Sequence, residues 1–281
     1  MKRQGRPDVL LATCGELPDG DPDTQLLAVH LRTRGLLTEV AVWNDRSVTW
    51  SRAPLTLIRS TWDYHLRRKD FLAWARSVPA LQNPASLVEW NTDKRYLLSL
   101  PGDVPVIPSR VLIDPTAGDV DEALRDLQCN TAVVKPAVGL DGHGVEKVSL
   151  EGIPKQRRKG TWIVQPFIAD VAETGEVSVV LIEGVPTHAV RRCPPSGDFR
   201  SQERLGGSVE RCKPPEAFTA LARMAVDSLE EAPLYSRVDL VEHDGVPVLM
   251  ELELVEPSLF FEYGAEGLQA MAEAVVARLG R

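Results

Sequence analysis

The sequence predicts a mixed fold that is α/β at the start of the chain and α+β after it. In the first hundred residues, short apolar runs alternate with segments of helical periodicity, which is typical of a parallel sheet with crossover helices. From about residue 105 the apolar runs are separated by turn residues such as Glu183-Gly184, which is typical of β-hairpins. A chain of 281 residues can bury such a core in two or three subdomains.

We expect an N-terminal βαβ lobe over residues 1–85, a central lobe over 86–168 and a C-terminal lobe over 169–281. The predicted elements, in order, are strands at 9–14, 37–43 and 55–61 with helices at 25–35 and 67–78, a helix at 90–100 capped by Asn91 or Thr92, a helix at 118–128, strands at 131–137 and 160–168, a hairpin turning at Glu183-Gly184, a helix at 214–231, an acidic hairpin within 235–260 and a helix at 265–279.

The composition favours a cytoplasmic protein that acts on a small molecule. The balance of 32 basic and 40 acidic residues gives a net charge of -8, which disfavours a nucleic-acid partner. The four cysteines have no CxxC or metal-like spacing, so we expect reduced thiols. The apolar run after the basic start is too short for a signal peptide, and no stretch reaches the length of a membrane span. A homodimer is compatible with the sequence.

The stretch YSRVDLVEHDGVPVLMELELVEPSLF, residues 235–260, places acids where strands are usually apolar. Asp239 lies in the first apolar run, and Glu251 and Glu253 stand two apart in the second, on one face of the strand. Any one of these acids alone would more often face solvent. Three carboxylates on one stripe beside a core need a cation, which predicts a site for Mg²⁺, or Mn²⁺ in its place, together with nucleotide phosphates.

The turn of this hairpin decides whether the three acids meet. A two-residue turn at Asp244-Gly245 would put Asp239 and Glu251 on opposite faces of the sheet. A three-residue turn at 243–245, with Gly245 in the left-handed conformation, would put them on one face. We predict the three-residue turn, or a bulge that has the same effect.

A second candidate site is VVKPAVGLDGHGV, where Lys135 ends a strand and Gly139, Gly142 and Gly144 follow. Glycines let the backbone approach phosphate oxygens and direct N–H groups at them, and a nearby ammonium adds charge. The spacing fits neither a P-loop nor a dinucleotide fingerprint, and an ordinary flexible hairpin loop is the alternative for the glycines alone. A buried lysine needs an anionic partner, which favours a phosphate site.

From about residue 85 onward the chain resembles the ATP-grasp superfamily, in which two α+β lobes enclose ATP. The resemblance implies that Lys94, in NTDKRYL, and Lys135 bind phosphates under a glycine-rich flap, and that Glu176 binds ribose. The resemblance also implies that the main chain of a hinge segment holds the adenine and that three acids bind the metal. Many members of the superfamily have Asn at the last of these acid positions, where this chain has Glu253. The implied hinge residues are Gln165, Pro166, Phe167 and Ile168, and the implied metal ligands are Asp239, Glu251 and Glu253.

The stretch HAVRRCPPSGDFRSQERLGG resembles the glutathione synthase and RimK branch of that superfamily. The resemblance implies that Arg191 and Arg200 face the substrate and the transferred phosphoryl group, a task suited to the planar guanidinium fork. Lys135 joins them as a catalytic group. We expect Arg192 to be a solvated strand residue, because it alternates away from Arg191.

In the N-terminal lobe, RSTWDYH follows a strand, where α/β sheets tend to bind ligands. Arg59 and Asp63 would then receive the carboxylate and the ammonium of an amino acid. An equally weighted alternative is a structural turn in which Trp62 and Tyr64 pack and Asp63 caps the next helix.

The combination of RSTWDYH, NTDKRYL, the arginine segment and MELELVEPSLF resembles a bacterial group that includes O-ureido-D-serine cyclo-ligases. The resemblance implies that ATP converts a carboxylate to an acyl phosphate, which the substrate's own ureido nitrogen attacks to form D-cycloserine. An intermolecular amino-acid or peptide ligase is the alternative, and a non-catalytic nucleotide-binding protein fits the intact acid trio less well. His143, in the flap, could assist.

Overall fold

Three β-sheets organise the part of the chain that the computed structural model describes, which is residues 6–140, 142–169 and 171–281. The strands are β1 Val9–Thr13, β2 Thr38–Val42, β3 Leu55–Ser60, β4 Leu81–Gln82, β5 Arg110–Ile113, β6 Thr131–Pro136, β7 Glu146–Ser149, β8 Thr161–Pro166, β9 Glu176–Ile182, β10 Val185–Cys193, β11 Ser208–Cys212, β12 Tyr235–His243 and β13 Val246–Glu253. The α-helices are α1 Pro22–Thr33, α2 Arg68–Ser77, α3 Ala85–Asn91, α4 Ala117–Asp126, α5 Val171–Thr174, α6 Glu216–Asp227 and α7 Ala265–Arg278.

The N-terminal sheet is parallel, with strand order β2-β1-β3-β4, as the βαβ pattern predicted. Every residue of β1 and β3 is buried, which explains their continuous apolar runs. The crossover helix α1 begins at Asp21, whose side chain accepts a hydrogen bond from the Thr24 backbone N–H at 3.1 Å.

The central sheet is antiparallel, with order β5-β8-β6-β7, and α4 packs against it. One predicted element here is wrong, because the helix expected at 90–100 is divided in two. Helix α3 ends at Asn91, and a 3-10 helix over Lys94–Ser99 starts after Asp93, which accepts from the Arg95 backbone N–H. Asn91 does not cap a helix, because its side-chain amide donates to Leu252 O of β13 and accepts from the backbone N–H of Leu254, just after that strand.

The C-terminal sheet is antiparallel, with order β11-β10-β9-β12-β13. Helix α6 covers one face, and α7 covers part of the other. Strands β9 and β10 form the predicted hairpin, with Glu183 and Gly184 at φ angles of 49° and 75°. The left-handed conformation at both positions is what a two-residue turn between twisted strands requires.

One hydrophobic core joins the N-terminal sheet to the C-terminal sheet. It contains apolar side chains from β1, β3, α1, β9, β12 and α7, and Tyr235 lies fully buried within it. The central lobe has a separate core, and every residue of that core lies between 112 and 164. The boundaries at residues 85 and 168 stay predictions, since packing alone does not define them.

Two further predictions concern the cysteines and membranes. All four cysteines are free thiols. Within the described residues, no helix combines the length and the apolar character that a membrane crossing needs. The basic residues 1–5, which bear on the prediction about a signal peptide, lie outside the described residues.

Asp23 ties α1 to the loop that follows β13. Its carboxylate accepts from the backbone N–H groups of Leu259, Phe260 and Phe261 at 2.6, 2.8 and 2.9 Å. We expect Asp23→Ala to lower the free energy of unfolding by about 3 kcal/mol, because three buried donors lose an ionised acceptor. Urea unfolding measures this, with exposed Asp19→Ala as the control; a loss as small as the control's would contradict the role of Asp23.

Candidate active site

The acidic hairpin brings its three acids onto one face through a bulge. His243 pairs with Val246, so the turn has two residues, and the predicted three-residue turn is wrong. The register shifts after Asp239, which pairs with Glu251, while Leu240 pairs with Leu249. Met250 is the extra residue, and the bulge has the effect that the alternative prediction required.

Asp239, Glu251 and Glu253 therefore meet in one cluster. Each offers a carboxylate oxygen, and these oxygens lie within 4.8 Å of one another. Asp239 is buried, whereas Glu251 and Glu253 are partly accessible from a cleft between the central and C-terminal lobes. Three convergent carboxylates are a hard oxygen donor set that fits Mg²⁺, which would also take phosphate oxygens.

Basic side chains neutralise this cluster. Lys135 Nζ lies 2.7 Å from Glu251, and Arg237 donates to both oxygens of Asp239 at 2.9 and 3.0 Å and also to Glu253. Arg237 was not predicted as a site residue, although it stands two before Asp239 on β12 and so must share its face. The same periodicity that indicated the acids would have found it.

The environment shifts the pKa values of the two glutamates of β13 in opposite directions. Burial opposes ionisation of both, but Lys135 and Lys94 outweigh it and lower the pKa of Glu251 to about 2. For Glu253, burial and the charges of Asp239 and Glu251 outweigh Arg237 and raise the pKa to about 7. Of the three clustered acids, Glu253 is thus the one whose full ionisation depends most on a further cation.

Of the two adjacent arginines, Arg192 is the one that reaches the cleft. Its guanidinium lies 2.8 Å from Glu176 and 2.7 Å from Asp239, and the residue is only 7% exposed. Arg191 pairs with Val177 and lies on the opposite face of the sheet, which packs against α6. The predictions are therefore corrected: Arg192 is not solvated, and Arg191 does not border the cleft as a substrate or catalytic group. The two arginines do lie on opposite faces of the sheet, as strand alternation predicted, but Arg192 and not Arg191 is on the face that borders the cleft.

The end of the cleft beside the flap and the predicted hinge contains most residues that the resemblance assigned to nucleotide binding. Lys94 Nζ donates to Gly139 O at 2.7 Å, which ties the first lysine to the flap. Lys147 lies over the ring of Phe167, 3.5 Å from its centroid. The predicted residues that border the cleft at this end are Lys94, Lys135, Gly139, Gly142, Gln165, Pro166, Phe167, Ile168 and Glu176.

The flap is the turn between β6 and β7. Gly142 and Gly144 both have φ angles of 71°, which glycine adopts without strain. Gly144 does not border the cleft, and a Cβ atom there would lie 3.0 Å from Pro136 Cγ. Gly144 therefore allows the flap to turn and does not line the cleft.

Two predicted polar residues on the cleft wall are already paired. The carboxylate of Glu176 forms an ion pair with Arg192 and accepts a hydrogen bond from the Ser201 hydroxyl. A ribose hydroxyl would therefore have to share this carboxylate with both residues. Arg200 forms a two-point ion pair with Asp198, which lowers the pKa of Asp198 through hydrogen bonds to its carboxylate. Both border the cleft, and their roles stay predictions.

The contacts of the RSTWDYH segment favour the structural turn over the binding of an amino acid by Arg59 and Asp63. Arg59 is 1% exposed, donates to Pro257 O at 2.9 Å and stacks on Tyr235, so it cannot reach a substrate in the cleft. Asp63 accepts from Trp43 Nε1 at 2.7 Å and makes no helix-capping bond. Trp62, which we treated only as a packing residue, borders the cleft.

Two known families match separate parts of the chain. Residues 9–85 match the family described as the N-terminal domain of D-cycloserine synthetase DcsG. Residues 109–259 match the family described as the ATP-grasp domain of prokaryotic glutathione synthetase.

Individual relatives agree with this assignment. The cycloserine biosynthesis protein DcsG of Streptomyces lavendulae is 32% identical over 92% of this chain and 94% of its own length. A glutathione synthetase of Prochlorococcus marinus subsp. pastoris is 25% identical over 74% of this chain and 67% of its own. The crystal structure of D-cycloserine synthetase DcsG superposes with a TM-score of 0.82 and 29% identity, covering 96% of this chain and 99% of that one.

Proposed function

The chain belongs to the ATP-grasp family of ATP-dependent carbon–nitrogen ligases, and we propose that it converts O-ureido-D-serine to D-cycloserine. The observation that carries the proposal is the cleft in which the acid cluster, Lys135 and Arg192 face Trp62 of the N-terminal lobe. The residues suited to phosphoryl transfer thus line the same cleft as Trp62, which belongs to the N-terminal lobe that matches the DcsG family.

In the proposed reaction, ATP phosphorylates the substrate carboxylate, and ADP leaves. The ureido nitrogen bonded to oxygen then attacks the acyl carbon, the acyl–phosphate bond breaks, and a five-membered ring closes. Water hydrolyses the carbamoyl group from the ring nitrogen as CO₂ and ammonia. An intramolecular nucleophile has a high effective concentration, so the cleft need only fold and activate one molecule.

The side chains have separate tasks in this scheme. Asp239, Glu251 and Glu253 would hold Mg²⁺, which supplies charge neutralisation on the phosphates. Lys135, Arg192 and Arg237 would offset charge on the transferred phosphoryl group, and Arg200, which borders the cleft, would contact the substrate. No side-chain nucleophile is needed, and His143 is an exposed flap residue that borders the cleft.

We expect ADP release when the protein receives ATP, Mg²⁺ and O-ureido-D-serine alone, with D-cycloserine formed in equal amount. Coupled ADP detection and chromatography of the product measure the two yields. O-ureido-L-serine and a reaction without Mg²⁺ are the controls. Absence of turnover with O-ureido-D-serine in a folded, ATP-binding preparation would refute the cyclisation.

An intermolecular ligase is the second candidate, because glutathione synthetases match much of the chain. It predicts little ADP from any amino acid alone and rapid release once an amine acceptor is added. The same screen, run over amino acids with and without an acceptor, therefore separates the two functions.

A further inference from the structure

Glu256 is a buried acid beside the cleft that the scheme above does not use. It follows β13 in the loop before Pro257 and is 7% exposed. Among the described residues its Oε2 is the buried carboxylate oxygen that lacks a hydrogen-bond partner. The other buried or half-buried acids of the cleft, Glu176, Asp239, Glu251 and Glu253, each pair with an arginine or a lysine.

The N-terminal lobe holds Glu256 in place through the main chain. Trp62 Nε1 donates to Glu256 O at 3.2 Å, and Arg59 donates to Pro257 O at 2.9 Å. Asp23 fixes the next part of the same loop. Two residues of RSTWDYH thus position this acid, which gives that segment a role without direct contact between Arg59 and the substrate.

A carboxyl group at this place is costly unless something binds it. Burial removes the hydrogen bonds that water would give this oxygen, and burial together with the charge of Glu253 raises the pKa of Glu256 well above its ordinary value. A cationic ligand in the cleft would satisfy the oxygen and favour the ionised form.

On the premise of the proposed function, we propose that Glu256 binds the α-ammonium group of the amino-acid substrate. The acid cluster and the arginines fix where the carboxylate is phosphorylated, and the α-ammonium of an amino acid is two bonds from that carboxyl carbon. Glu256 lies three residues after Glu253, at the side of the cleft formed by Trp62. Glu256 would thus bind the ammonium group that the sequence analysis assigned to Asp63.

The test compares O-ureido-D-serine with 3-(ureidooxy)propionate, which is the same molecule without its amino group. In Glu256→Gln, we expect kcat/KM for O-ureido-D-serine to fall about 100-fold, because a charged hydrogen bond is lost. We expect kcat/KM for the des-amino compound and KM for ATP to change less than about threefold, since neither depends on that bond. Glu262→Gln, on an exposed acid six residues along the chain, is the matched control.

The outcomes distinguish the two proposals. An equal loss of kcat/KM with both compounds in Glu256→Gln would show a structural role and overturn the assignment of Glu256. Equal kcat/KM of the wild-type protein for the two compounds would overturn it as well. If wild-type protein is inactive with O-ureido-D-serine but active with another amino acid, the cyclisation fails, and the same comparison is made with that amino acid and its des-amino analogue. Wild-type activity confined to carboxylates that lack an amine, with none on any amino acid, would overturn both.

Discussion

Glu251→Gln is expected to lower turnover by about 1,000-fold while the protein remains folded. Glutamine keeps the volume of the side chain, and its carbonyl can still accept the hydrogen bond from Lys135, which lies 2.7 Å from Glu251 Oε1. What it loses is the negative charge that would hold a divalent cation beside Asp239. ADP release under saturating ATP and substrate measures the loss, and thermal unfolding checks the fold.

The control for this change is Glu242→Gln, in the same hairpin but exposed and outside the cleft. It should retain wild-type turnover. Wild-type turnover in folded Glu251→Gln would contradict the metal assignment. We favour this variant over Lys135→Ala, because alanine removes the hydrogen bond as well as a charge, whereas glutamine keeps an acceptor for Lys135.

Arg192→Lys is expected to lower kcat by about 100-fold, and Arg191→Lys should leave it within about twofold. Arg192 contacts both Glu176 and Asp239 through Nη2. Lysine keeps the positive charge, but it lacks the planar guanidinium and its shorter side chain places the charge differently. The two positions are neighbours on β10, so the pair tests which face of the strand carries the chemistry.

Steady-state ADP release, with thermal unfolding of both variants, gives the comparison. A larger loss in Arg191→Lys than in Arg192→Lys would restore the original sequence-based assignment. Equal and small losses would indicate that the phosphoryl group is neutralised by Arg237 and Lys135 without Arg192.

Much of the site could be predicted because its parts are local in sequence. The period of two along a strand identified Glu251 and Glu253, and the turn residues Glu183-Gly184 identified a hairpin. The βαβ rhythm of the first lobe followed from fully buried strands. These features depend on neighbours in the chain, so pattern and propensity suffice.

The remaining errors arise where distant segments decide the outcome. The bulge at Met250 is an irregularity of pairing that turn chemistry alone does not reveal. The face of Arg192 was fixed by Glu176 and Asp239, on two other strands. Arg59 resembled a ligand-binding residue because no local signal shows that its partner is a carbonyl at Pro257, 198 positions away.

The core shared by β1, β3, α1, β9, β12 and α7 has a mechanical consequence. We expect the first and last lobes to move as one body, since a hinge between them would separate side chains of a single packed core. We expect the central sheet, whose core is confined to residues 112–164, to move with Lys135 and the flap relative to the acid cluster. For protein engineering, exchanging the first 85 residues with a relative would cut through that interior, so new substrate preferences are better sought by grafting the loop around Glu256 onto the existing body.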